Sequence, residues 1–129
     1  MSATEAPGLR KLNRSIAAFE RWAPDVPRPE DVIAGEVDMQ ISVFWRSADG
    51  RNATGMWTCQ PMTIHLDQPF QETLLLVEGH VSYTPEAGEP IHLHPGDAIV
   101  MERGAKAIFQ VHEPALTFWS IDETEPIAF

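Results

Sequence analysis

The sequence holds one cysteine, one tyrosine and only nine basic residues in a length of 129. The single Cys59 cannot close an internal disulfide, which excludes a disulfide-stapled scaffold and points to a reducing, cytoplasmic setting. Nine Lys and Arg face nineteen Asp and Glu, a formal charge of −10. A chain this acidic is a poor partner for nucleic acid or for an anionic membrane surface. No apolar run approaches the ~20 residues needed to span a bilayer. The opening MSATEAPGLRK lacks the charged-then-apolar pattern of a leader. Long uninterrupted helices are also disfavoured, because eleven prolines and eight glycines are scattered along the chain. The length fits one domain able to bury its own core.

Charge divides the chain in two. Residues 1–31 carry five basic and five acidic residues, whereas 32–129 carry four basic and fourteen acidic, so the whole net charge lies in the second part. The first part reads as an N-terminal arm and the second as the folded body. Leu9, Leu12, Ile16 and Phe19 fall on one helical face, which predicts a short amphipathic helix in the arm. Pro24, Pro27 and Pro29 would end it. A basic, partly apolar arm on an acidic body should dock on that body or on a neighbour's.

The body reads as about nine short strands. Met39, Ile41, Val43 and Trp45 alternate with polar residues, and Asp49-Gly50 marks a hairpin turn. Segments 55–59, 63–67, 72–77, 81–84, 91–94, 98–101, 106–111 and 116–121 follow, separated by Pro and Gly. No interval accommodates a crossover helix, so the class is all-β, an antiparallel sandwich or barrel. Segment 72–77 is apolar on both faces, with Glu72, Leu74 and Leu76 on one side and Leu75 and Val77 on the other. A half-solvated strand should alternate. A cover over Leu75 and Val77, by the arm or by a second subunit, is therefore expected, and a homodimer is the simplest assembly.

Particular residues resemble a known family. Glu72, six residues and Gly79 resemble the end of the first cupin motif; Gly96-Asp97 and Arg103-Gly104 resemble the second. Trp45–Gly50, Gly55–Cys59 and Gly96–Met101 are similar to one branch, the small single-domain cupins related to the ureidoglycine aminohydrolase cupin domain and to the ethanolamine-utilisation cupin. The resemblance implies an antiparallel jelly-roll β-barrel with an open mouth across roughly 32–121, often dimeric.

The ligand positions of a metal-binding cupin are only partly kept. Counting back from Glu72, the paired histidine positions hold His65 and Asp67; counting on from Gly96, the last position holds Ala107. Glu102 replaces the proline of the second motif. The resemblance thus implies an inward set of His65, Asp67 and Glu72. It would serve as a weak, one-histidine site for a divalent metal such as Mn or Fe, or as a metal-free polar interior. Oxygen-rich ligation of this kind suits Mn or Mg better than Zn or Cu. Without a cation, one of two enclosed carboxylates should have a raised pKa and carry a proton near neutral pH. Glu72 and Asp67 are then the candidate catalytic groups, and Trp57, Cys59 and Glu72 the candidate ligand-binding groups. Cys59 itself reads better as a small buried hydrophobe than as a nucleophile.

His92-Leu-His94 imitates a metal motif but precedes Gly96-Asp97 rather than Glu72. A hairpin centred near Ala87 puts His80, His92 and His94 together on an outer face, opposite Val81, Tyr83, Ile91 and Leu93. The expectation is a solvated cluster without a metal, with His112 exposed as well. Two functions follow. One is a cupin that holds a small polar molecule, neutral or amine-bearing, in the barrel without turning it over. The other is a metal-assisted small-molecule hydrolase or isomerase resembling ureidoglycine aminohydrolase.

Overall fold

Period-two patterning and closely spaced turn residues put most of the chain into strands. The computed structural model describes residues 8–21 and 27–127. Residues 1–7, at the start of the N-terminal stretch read above, and Pro24 lie outside them. The described residues contain no α-helix and form nine strands: β1 (Glu20–Arg21), β2 (Val32–Gly35), β3 (Met39–Arg46), β4 (Asn52–Cys59), β5 (Met62–Asp67), β6 (Gln71–Pro85), β7 (Ile91–Leu93), β8 (Ala98–Met101) and β9 (Lys106–Asp122). They join in one antiparallel sheet that curls into a jelly-roll β-barrel.

Two long strands organise the barrel. On one edge β9 pairs first with β5 (Asp67↔Lys106 to Met62↔Val111), then with β4 (Cys59↔Ala115 to Asn52↔Asp122). On its other edge it follows β6 from Pro85↔Ala107 to Gln71↔Asp122. The expected segments 72–77 and 81–84 are therefore one strand, as are 106–111 and 116–121. They merge because the ladder runs on through register shifts between Leu76 and Val81. Gly79 makes the bulge possible. Its φ is +98°, and a Cβ there would lie 2.4 Å from the carbonyl oxygen of Pro114.

Alternation sorts the side chains. Leu74, Leu76, Val81, Tyr83, Leu93, Phe109, Val111, Met62 and Ile64 are buried in the barrel with Met39, Cys59 and Met101. Leu75 and Val77 lie on the opposite face of β6, as alternation predicts, but among the described residues the expected cover is missing from Leu75, which is exposed, while Val77 is half-buried. The core assignments of Val81, Tyr83 and Leu93 also hold, but Ile91 is exposed beside the turn of the β6–β7 hairpin. Val43 and Trp45 are exposed too, and the β3–β4 register shifts between them.

The arm differs from the predicted helix. Its described residues make two 3-10 turns, Pro29–Asp31 and Arg14–Ile16, the latter started by Asn13, whose side chain accepts from the Ile16 amide. The chain then extends, and β1 pairs with β3 through Glu20↔Ile41 and Arg21↔Gln40. Pairing with the sheet edge satisfies backbone groups that a short isolated helix would leave to its own weak cooperativity. Leu12 and Phe19 are half-buried while Leu9 and Ile16 are exposed, so the four do not share a buried face. Docking on the body is observed. The Ala18 amide donates to the buried Ser42 hydroxyl at 3.1 Å, and Arg14 pairs with Glu78.

Candidate functional site in the barrel

β4, β5, β6 and β9 turn their inward side chains onto a cavity of about 110 Å³. Its wall is almost wholly apolar: Trp57, Ile64, Leu66, Leu74, Phe109 and Trp119 are among the lining residues. Trp57 and Phe109 meet with ring centroids 6.0 Å apart, and Phe109 stacks on Tyr83 at 4.7 Å. The polar lining groups are Gln68, Glu72 and Tyr83. Leu66, Gln68, Tyr83 and Met101 also bound a larger recess of about 460 Å³, lined as well by Glu102, Arg103 and Lys106.

Among the described residues Glu72 is the one carboxylate lining the cavity. Enclosure by apolar side chains pushes its pKa up to about 7, and a hydrogen bond from Gln68 acts in the opposite sense. Gln68 Nε2 lies 3.1 Å from Glu72 Oε1 and 2.9 Å from the Phe70 carbonyl oxygen. The Gln68 backbone is held at both ends, donating to Ala105 and accepting from Gly104. Burial, then the neighbouring Glu72 and Cys59, raise the Tyr83 hydroxyl far above its usual range, so it stays protonated. The cavity therefore offers a carboxyl poised near neutrality, a fixed amide and a phenol inside an aromatic wall.

The inward set expected from the motif is not assembled. Glu72 and Trp57 line the cavity, but His65 and Asp67 are exposed on the outer face of β5. His65 pairs with Ile108 across the β5–β9 ladder, and Asp67 lies 4.0 Å from the Lys106 ammonium. Their inward neighbours are Ile64 and Leu66. The physical reason is side-chain parity. One residue fewer in the connection to Glu72 moves the paired positions to Leu66 and Gln68, the residues that do line the cavity. Cys59 is fully buried in the core and absent from the cavity wall. Burial raises its thiol to about 12, which leaves no thiolate at neutral pH.

A metal held by His65, Asp67 and Glu72 inside the barrel thus does not fit these residues, since one carboxylate, an amide and aliphatic groups make no first coordination set. Among the described residues the group of three convergent metal-type donors is His80, His92 and His112, outside the barrel. His112, expected to be exposed, is half-buried there. No helix among the described residues is long and apolar enough to cross a membrane.

Known structures share this fold. A protein of unknown function of the DUF861 family from Pseudomonas syringae pv. tomato superposes with a TM-score of 0.76 at 20% identity, over 85% of this chain and 46% of that one. The present chain thus spans less than half of that protein's length. A putative ethanolamine utilisation protein EutQ from Salmonella typhimurium gives 0.67 at 16% identity, over 88% and 85%. An acetylacetone dioxygenase from Acinetobacter johnsonii gives 0.61 at 10% identity, over 95% and 78%. At these identities the likeness establishes the fold. No curated protein matches the chain. Residues 46–117 match the family of EutQ-like cupin domains, a stretch that includes Trp57, Gln68, Glu72 and Tyr83 and more than half of the sequence. The chain belongs to that family of small cupins.

Proposed function

We propose that this cupin binds a small, largely apolar molecule carrying one amine or comparable hydrogen-bonding head group, and holds it without turnover. The observation that carries the reading is the position of Glu72, a lone carboxylate at the wall of an aromatic cavity. A cavity of about 110 Å³ suits a ligand of roughly five or six heavy atoms, given that an engineered cavity of ~150 Å³ takes benzene. An ammonium group would offset the desolvation of ionised Glu72, while the hydrocarbon part packs on Trp57 and Phe109. Binding without turnover is favoured because the other titratable group among the described lining residues, Tyr83, stays protonated, so no second group is poised to exchange a proton with Glu72. The hydrolase or isomerase alternative would need donors that His65 and Asp67, on the outer face, do not supply.

A homodimer belongs to the same reading. Leu75, 39% exposed, and Val100, 65% exposed, lie on the outer face of the paired strands β6 and β8, which supports an apolar self-contact there. The buried, unreactive Cys59 is consistent with a cytoplasmic setting.

The test is a titration of untagged, isotope-labelled protein with isobutylamine and with isopentane-like and alcohol isosteres, followed by NMR. Saturable shifts of the Trp57 indole and Glu72 carboxyl resonances with the amine are expected, weakened at least about tenfold in Glu72→Gln. Equal response to all isosteres, or unchanged amine binding by Glu72→Gln, would overturn the reading.

A further inference from the structure

The bulge at Gly79 has a second effect, outside the barrel. β6 pairs with β7 through Ser82↔His92 and Val81↔Leu93, and with β9 through His80↔Glu113 and Val81↔Val111. Three strands thus bring histidines from distant parts of the chain to one patch. His80 stacks on His112 with centroids 4.2 Å apart and an interplanar angle of 16°. Its other neighbour is His94, at 4.7 Å and 14°. His80 Nε2 lies 2.9 Å from His92 Nδ1, and the buried Ser82 hydroxyl sits 2.8 Å from His112 Nε2. One nitrogen from each of His80, His92 and His112 falls within 4.8 Å of the other two.

We propose that His80, His92 and His112 form a site for a divalent transition-metal ion of the zinc or nickel class on the outer face of β6, β7 and β9.

The contact between His80 and His92 requires one ring nitrogen to donate and the other to accept, so one of the two presents a lone pair at this patch. A metal takes a lone pair of that kind. In ligation at 2.0–2.1 Å, tetrahedral donors stand about 3.3 Å apart. Reaching that spacing requires His80 to swing out of its stack on His112 and give up its contact with His92, so that the three in-plane lone pairs converge. Imidazole donors select Zn, Ni or Cu over Mg or Ca. The acidic body, with fourteen carboxylates against four basic side chains in 32–129, attracts cations to its surface. Three protein ligands leave a coordination position open to solvent on the His92 side. Unlike an exposed carboxylate cluster, this arrangement brings ring nitrogens into contact and anchors one of them to a buried hydroxyl.

The site is tested with zinc chloride on untagged protein, by competition against a chromophoric chelator and by NMR of the imidazole nitrogens. Binding of one zinc per chain is expected, with shifts at His80, His92 and His112 and none at His65. His80→Gln and His112→Gln should each weaken binding more than about tenfold, and His65→Gln should leave it unchanged. Circular dichroism of the zinc-free variants checks that they fold. The wild-type NMR experiment stands independently of them. Absence of zinc binding at about tenfold excess over protein, zinc binding with the three rings unmoved, or full affinity retained in folded His80→Gln and His112→Gln would each overturn the proposal.

Discussion

Gln68 Nε2 donates to Glu72 Oε1 at 3.1 Å across the connection between β5 and β6. The amide is fixed by its own backbone pairing with Gly104 and Ala105, so it reaches Glu72 from a rigid loop. A neutral donor thus stands where a charged partner would otherwise be needed. It tempers the desolvation of the carboxylate without cancelling it, which keeps the pKa of Glu72 near 7.

That pKa sets a pH dependence of stability. Folded Glu72 titrates near 7, above about 4.3 in an unfolded chain, so between those values the folded state binds more protons. The contribution is fully present below about pH 4.3 and is lost as pH rises through 7. The loss should reach up to about 3 kcal/mol. Glu72→Gln should remove this component and be the more stable protein at pH 8. Urea melts of both proteins from pH 5 to 8 measure it; parallel curves would refute it.

Removing the tether should act in the same direction. Gln68→Leu leaves Glu72 and the Phe70 carbonyl without their amide donor and should cost about 1–3 kcal/mol. The carboxyl of Glu72 should also titrate at a higher pH, read by carbon-detected NMR. A titration midpoint unchanged or lowered would show that the amide does not act on the carboxylate.

Gly79→Ala should be among the most damaging single changes outside the core. The added methyl would sit 2.4 Å from the Pro114 carbonyl oxygen, in a backbone conformation that costs alanine further energy. A loss of more than about 2 kcal/mol is expected in thermal or urea unfolding. Because the bulge also places His80, the imidazole resonances of His80 and His112 should shift as well.

Leu75→Lys with Val100→Lys should separate the proposed dimer while leaving the fold intact, since both side chains are exposed in one chain. Light scattering at micromolar concentration should move from two chains to one. A wild-type protein that is already monomeric would dispose of the dimer. Deleting residues 1–31 should instead uncover apolar surface near Ser42, read as increased binding of a hydrophobic dye.

The barrel and much of its lining were legible because strand patterning has a period of two. Glu72, Leu74 and Leu76 face inward as alternation requires. His65 and Asp67 were misplaced for the same reason: parity is carried across a loop, and one residue in the connection 68–70 exchanges inside for outside. Gln68 could have been found by testing the shorter spacing. His112 could not, because its place beside His80 depends on a long-range pairing and on a bulge whose register the local sequence does not specify. The arm failed as a helix because four residues at helical spacing can equally well serve an extended segment captured by a sheet edge.

The long strand β9 also constrains the order of events during synthesis. It borders β4, β5 and β6, yet all three precede it in the chain. Until residues 106–122 have left the ribosome, those three strands present unpaired edges and an open apolar trough. Closure must therefore wait for the last strand, and a nascent chain halted near residue 105 is a substrate for chaperones and for edge-to-edge association.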